Sequence, residues 1–140
     1  MISSLPLPNT DQKRPIAGTA VKKAGETIDL YDLGALHDMS GGNKEFILSL
    51  VKIYLDTIPA NSAEMVHACM GGNWDMVSKL AHKLKSTIDM MRMTTITQDI
   101  RTIELDAKNQ VNKEILPNLV NKVDEVLNAV AADLKQVFSL

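Results

Sequence analysis

The chain has 140 residues, which is enough for one domain with a sizeable core. Its net charge of −2 offers no general electrostatic attraction to nucleic acid or to anionic membranes, so we expect neither as a partner. The single cysteine, Cys69, excludes an intrachain disulfide. No apolar run approaches the length of a membrane span and no signal peptide is evident, so the sequence predicts a cytoplasmic protein.

The 8 methionines and the low aromatic content of 4% indicate an aliphatic and thioether core, which is typical of an all-α helical bundle. Over residues 1–27 no helical or strand period holds, and prolines and glycines are scattered among polar residues. We therefore expect an extended or disordered lead-in over residues 1–27 and a helical bundle over residues 28–140.

A short helix is predicted first, over residues 29–38, with Asp29 as its cap and leucines along one side. Ser40-Gly41-Gly42 then breaks the chain. Asn43 caps a second helix, which we expect to run over residues 44–70.

Pro59 should kink this second helix, because proline removes one backbone donor and crowds the preceding turn. The predicted apolar stripe comprises Phe46, Ile47, Leu50, Ile53, Tyr54, Met65 and Cys69. More apolar residues widen the surface, and they either pack on a neighbouring helix or face a partner; they are Leu48, Val51, Leu55 and Ile58.

Asn73 caps a third helix, which extends to about Met91. A fourth helix begins at Thr94 or Thr95 and carries isoleucines at helical spacing, and its charged residues, Asp99, Arg101, Glu104 and Asp106, fall off that stripe and should be solvated.

The last helix begins near Lys113, tolerates Pro117 in its first turn and runs almost to Leu140. Short connections between four long helices predict an antiparallel up-down-up-down four-helix bundle with a short additional N-terminal helix.

His82 lies in the third helix but away from its apolar stripe. On a helical wheel it is about 140° from Val77, a stripe residue, so the imidazole should stand on the outer face. Neutral imidazole is a good nucleophile near pH 7, since its unperturbed pKa is about 6.5. Lys85, three residues on, can place an ammonium beside a phosphoryl group on the ring. Most surface His-x-x-Lys sequences on helices are nonetheless solvated faces without chemistry.

Three motifs resemble those of the histidine-containing phosphotransfer (HPt) domain family, in order and in separation. Ser40-Gly41-Gly42-Asn43-Lys44-Glu45-Phe46 resembles the S-G-G-D-x-E-F entry to the family's second helix. Gly72-Asn73-Trp74-Asp75 resembles the G-D-W entry to its active-site helix, and Ala81-His82-Lys83-Leu84-Lys85-Ser86 resembles its A-H-x-L-K-G motif. The similarity covers about residues 29–138.

The resemblance implies a phosphorelay intermediate. His82 would accept a phosphoryl group from a receiver-domain aspartyl phosphate or a sensor histidine kinase and pass it to a response-regulator aspartate. Lys85 would be the charge partner and Ser86 the position of close approach. The chain would be a monomer without its own kinase activity, nucleotide site or cofactor, and the receiver would bring the Mg²⁺. The expected partner-binding residues are Ser78, Lys79, Lys83 and Asp89.

Two positions depart from the family pattern, which usually has glycine at both. Ser86 adds a hydroxymethyl group that could bond back to the carbonyl of His82 or donate to a phosphoryl oxygen, and we expect it to be tolerated. Arg92 lies near the end of the third helix, where we expect a local change of structure.

Two further hypotheses concern the charges around His82. Asp89 lies four residues after Lys85, so we expect Lys85 to lean towards Asp89 in the free protein and to swing to phosphorylated His82. Lys79 is either a solvated lysine or part of a basic rim that steers an acidic receiver.

Two other function classes remain open from the sequence. One is a helical-bundle interaction module with an inert histidine. The other is a cofactor-binding enzyme, for which no complete ligand set is present, because Glu64-Met65-Val66-His67 has no second Glu-x-x-His copy.

Overall fold

The computed structural model describes residues 19–23 and 26–140, with side chains from residue 30 onward. In chain order its elements are β1 (Thr19–Lys23), β2 (Glu26–Asp29), α1 (Gly34–Ser40), α2 (Lys44–Met70), α3 (Trp74–Met90), α4 (Thr97–Asn109) and α5 (Leu116–Val137). The two strands pair antiparallel and β1 contacts α5, a hairpin that the sequence pattern had not indicated. The rest of the predicted lead-in lies outside the described residues.

Helices α2 to α5 contact one another in a closed cycle: α2 lies against α3, α3 against α4, α4 against α5, and α5 against α2. The described chain is thus a helical bundle around one apolar core. Its largest fully buried side chains are Tyr31, Ile47, Met65, Leu84, Ile88, Met93, Ile96, Ile100, Ile103, Leu116, Leu127 and Leu134.

Polar side chains tie α5 to the elements packed on it. The buried hydroxyl of Tyr54 donates to the Leu127 carbonyl at 2.9 Å, and burial raises the pKa of that hydroxyl. The buried Ser62 hydroxyl donates to Asp124 at 2.7 Å. Because a buried polar group is costly without a partner, these bonds favour one alignment of α2 along α5.

The sequence predicted α2 with its observed bounds. Asn43 caps it, since the side-chain oxygen accepts from the Phe46 amide at 3.0 Å, and Pro59 lies inside the helix. The predicted stripe was wrong at Phe46 and Ile53, which are exposed. The residue that follows each of them in sequence, Ile47 and Tyr54, is buried instead. The buried side of α2 includes Ile47, Val51, Tyr54, Ile58, Ser62, Met65 and Cys69.

The prediction that α1 begins at Asp29 was wrong, because the helix begins at Gly34. The three leucines that suggested a helix are all buried, but the chain before Gly34 is bonded to the end of α3 instead. The Asp32 amide donates to the Met91 carbonyl at 2.7 Å, and the Asp32 carboxylate accepts from the Gly34 amide at 2.7 Å.

Helices α4 and α5 begin about three residues later than predicted, at Thr97 and Leu116. Hydrogen-bonded turns occupy the intervening residues, which pattern alone had assigned to helix. Pro117 lies in the first turn of α5, as predicted.

Arg92 lies two residues after the last residue of α3 and has a left-handed conformation, with φ of 51°. Its amide donates to the Asp89 carbonyl at 3.1 Å, and the Met93 amide donates to the Ile88 carbonyl at 3.0 Å. This pair of bonds is the Schellman motif, whose left-handed position favours glycine. The local change expected at Arg92 is therefore a left-handed residue with a side chain, held by an ion pair to Asp32 at 3.1 Å.

We predict that Arg92→Gly raises the free energy of unfolding by roughly 0.5–1 kcal/mol. Relief of the left-handed conformation contributes about 1–2 kcal/mol, whereas the exposed ion pair with Asp32 contributes about 0–1 kcal/mol. Urea denaturation measures the difference. Arg92→Ala is the matched control, because it removes the same ion pair but keeps the Cβ atom. Equal stability of the two variants would contradict this account.

Candidate functional site

The local sequence of α3 explains the position of His82. Asn73 caps the helix by accepting from the Met76 amide at 3.2 Å. The helix buries Val77, Leu80, Ala81, Leu84 and Ile88, a set that includes Val77, the stripe residue from which the position of His82 was predicted. The His82 side chain is 69% exposed, so the imidazole stands on the outer face as predicted.

A carboxylate from α4 connects the two side chains that the sequence had paired. Glu104 Oε2 lies 2.7 Å from His82 Nδ1, and Glu104 Oε1 lies 2.8 Å from Lys85 Nζ. One carboxylate therefore binds the imidazole and the ammonium through separate oxygens, across the contact between α3 and α4.

Glu104 is ionised at neutral pH. The hydrogen bond from Lys85 is the largest influence lowering the pKa of this carboxyl group, the bond from His82 adds to it, and partial burial opposes both. An ionised carboxylate only accepts hydrogen bonds, so this network assigns a proton to His82 Nδ1. In the neutral ring, Nε2 then carries the lone pair, and no partner is recorded for Nε2 among the residues that the structure describes.

Ser78 also joins α3 to α4 beside these charges, a contact that we call the charged seam and that comprises His82, Lys85, Asp89, Arg101 and Glu104. Its hydroxyl donates to the backbone carbonyl of Glu104 at 3.0 Å, one turn before His82 on α3. This bond fixes the position of Glu104 along the axis of α3, because it joins the two helices at the residue that carries the carboxylate. Ser78 had been predicted as a partner-binding residue, and its hydroxyl already has this internal partner.

The predicted contact between Lys85 and Asp89 was wrong. Lys85 binds Glu104, whereas both oxygens of Asp89 are taken by Arg101, at 3.0 Å from Nη1 and 2.7 Å from Nη2. Arg101, which binds Asp89 in place of Lys85, belongs to α4, and a helical wheel of α3 alone gives no information about it.

The remaining predicted residues are exposed on the outer surface of α3. Lys79 forms an ion pair with Asp75 at 3.1 Å, which offsets part of its charge. Lys83 has no hydrogen bond or ion pair recorded within the described residues. Neither has the Ser86 hydroxyl, so the suggested bond back to the His82 carbonyl is not made.

An apolar groove lies on the other side of His82 from Glu104. On the α3 wheel, Lys85 and Asp89 fall to one side of His82, and Met90 and Thr87 fall to the opposite side, about 80° and 140° away. The groove has a volume of about 220 Å³ and is lined by Leu33, Leu36, Leu50, Val51, Ile53, Tyr54, Thr57, Ile58, Thr87, Met90 and Met91.

Sequence reasoning missed Glu104, which it had expected to be solvated. Its side chain is only 22% exposed. The available signal was its position at the border of the α4 stripe, directly after the buried Ile103 and four residues after the buried Ile100. A border residue meets whichever helix lies beside it, and the pattern of α4 does not say that this helix is α3.

The other chemical groups offer less. His37 and His67 are exposed, and burial raises the pKa of the Cys69 thiol. Among the described residues, no three His, Cys, Asp or Glu side chains are placed to hold a metal ion. Nor does any described helix combine the length and the apolar character needed to cross a membrane.

Comparisons of this chain with protein-family models, with curated proteins and with solved structures found no match.

We predict that the stabilising effect of Glu104 disappears in acid. The folded-state pKa is lowered, so the contribution is fully present above the unfolded pKa, about 4.3, and is lost as the pH falls through the folded value. The difference in unfolding free energy between wild type and Glu104→Gln should therefore shrink from about pH 5 to about pH 3. Urea titrations at each pH measure it.

Glu125→Gln is the control for this titration, because Glu125 is an exposed helical carboxylate for which the described residues show no ion pair. A difference for Glu104→Gln that changes with pH no more than the Glu125→Gln difference would refute the assignment.

Proposed function

We propose that this protein is a phosphorelay intermediate of the HPt type, which accepts a phosphoryl group on His82 and passes it to an aspartate of a receiver domain. The observation that carries the proposal is the exposed imidazole whose Nδ1 is bonded to Glu104, leaving Nε2 towards solvent. The three sequence motifs support the same assignment.

In the proposed reaction, the lone pair of His82 Nε2 attacks the phosphorus of an aspartyl phosphate on the receiver. The P–N bond forms as the bond between phosphorus and the aspartyl oxygen breaks, and the aspartate leaves as a carboxylate with the bonding electrons. The proton on Nδ1 stays in place, and the positive charge that develops on the ring is stabilised by Glu104 at 2.7 Å. The reverse step delivers the phosphoryl group to a second aspartate.

Lys85 is a cation available to the phosphoryl group. It lies about 60° from His82 on the α3 wheel and shares the carboxylate of Glu104 with the imidazole. Its side chain is 31% exposed, so the ammonium can rotate towards Nε2 without leaving a buried pocket. Ser86 lies one turn after His82, and its hydroxyl, which has no partner among the described residues, can donate to a phosphoryl oxygen.

The proposal includes the finer features that the motifs imply. The four long helices would run up-down-up-down, as an antiparallel bundle with α1 at its edge, in a cytoplasmic monomer. The partners would be receiver domains of response regulators and a sensor histidine kinase. The chain would act without kinase or nucleotide site of its own, and the Mg²⁺ used in transfer would come bound to the receiver.

The apolar groove gives such a receiver an area to dock on. Met90 lies eight residues after His82, which is about 12 Å along α3, and Ile53 lies on the facing side of the groove. Apolar contact there would supply affinity, while the charged seam at Glu104 would lie under the reacting atoms.

The same groove favours a second candidate function, an interaction module in which His82 is inert. Such a module would bind a partner through the groove and would show no phosphate on histidine. The two functions therefore differ in one measurable product, an acid-labile phosphate.

We predict that His82→Gln abolishes labelling. Wild type and variant are mixed with a panel of phosphorylated receiver domains and with a small phosphoramidate, and acid-labile phosphate is followed. His67→Gln is the matched control, since it removes another exposed helical histidine. Label on His82→Gln, or none on wild type from any donor, would contradict the proposal.

We also predict that Ile53→Asp slows transfer from a receiver at least about tenfold, because a charge would be desolvated in the groove on docking. Labelling by the small phosphoramidate should be unchanged. The control is Val137→Asp, which alters a residue of α5 that is 45% exposed, against 55% for Ile53, and that does not line the groove. Equal slowing of both variants would place docking elsewhere.

A further inference from the structure

Lys85 has two carboxylates within its reach. Asp89 lies one turn further along α3, at the spacing at which helical side chains form ion pairs. Glu104 reaches it from α4 and is the one that it binds, at 2.8 Å. In this second arrangement Lys85 and His82 share one carboxylate, because Glu104 is also the partner of the imidazole.

Arg101 binds both oxygens of the competing carboxylate. Its two terminal nitrogens bind the two oxygens of Asp89 side by side, at 3.0 and 2.7 Å. Nη1 also donates to the backbone carbonyl of Thr97 at 3.0 Å, which holds the guanidinium against α4. A bidentate pair of this kind has a defined geometry that an ammonium does not reproduce.

The geometry points to Arg101 as a positioning residue: by occupying Asp89, it keeps Lys85 on Glu104 and so beside His82. Arg101 itself has no contact with the imidazole. Its consequence for phosphohistidine rests on the proposed function, whereas the choice of partner by Lys85 is a property of the free protein and can be measured without any phosphoryl group.

The first experiment follows Glu104 in the free protein. The pKa of its side-chain carboxyl carbon is titrated by NMR in wild type, Arg101→Ala, Asp89→Asn and the double variant. In Arg101→Ala, Lys85 gains access to Asp89, and the pKa of Glu104 rises by about one unit, the lower end of the effect of a close opposite charge. In the double variant, Lys85 has no other partner and most of that rise is reversed.

The cycle separates this switch from simple loss of charge. Arg101 also acts on Glu104 through space, but that effect is equally absent from Arg101→Ala and from the double variant. The inference requires that Asp89→Asn lowers the Glu104 pKa more in the Arg101→Ala background than in wild type. Equal effects in the two backgrounds would overturn it. Arg101→Lys, which keeps the charge but loses the bidentate pair with Asp89, should give a Glu104 pKa between those of wild type and Arg101→Ala.

The second experiment measures the lifetime of phosphohistidine in the same four proteins. We expect Arg101→Ala to shorten it about twofold, the size of a helical ion pair, and the double variant to restore it. An unchanged lifetime in Arg101→Ala would overturn the link to His82. If wild type takes no phosphate, the proposed function fails, whereas the result of the titration cycle stands by itself.

Discussion

The carboxylate of Glu104 is the contact on which the candidate site depends. It binds an imidazole through one oxygen and an ammonium through the other, and both belong to a different helix from its own. Such a bridge requires a fixed distance between α3 and α4 and a fixed alignment along their axes. The buried apolar residues of the two helices set the distance, and the bond from Ser78 to the Glu104 carbonyl sets the alignment. The hydrogen-bonded orientation of His82 is thus a consequence of how two helices pack.

The surface around His82 is divided along the axis of α3. On one side lies the charged seam with α4, in which each charge has a partner; on the other lies the apolar groove with α1 and α2. The histidine stands between the two. A partner that docks as proposed would therefore meet the apolar groove and the exposed imidazole of His82 on one continuous surface.

Sequence reasoning succeeded where the information is local. The bounds of α2, the caps at Asn43 and Asn73 and the outward position of His82 follow from side chains within one turn of one another, and the structure confirms them. It failed where the outcome depends on a neighbouring helix. Glu104 and Arg101 take their roles from α3, and the start of α1 is moved by a bond from Asp32 to the end of α3. The hydrophobic period of one helix carries no information about these contacts with another element.

The residues of the site span a short stretch of chain. From Ser78 to Glu104 they lie on two consecutive helices joined by a brief turn, so bringing them together closes only a small loop. The entropic cost of closing a loop rises with its length, and contacts between near neighbours in sequence form quickly. The α2–α5 contacts, such as Tyr54 with Leu127, close a far longer loop. The histidine site therefore needs only short loops to form, and we expect it to assemble before α2 and α5 close the bundle.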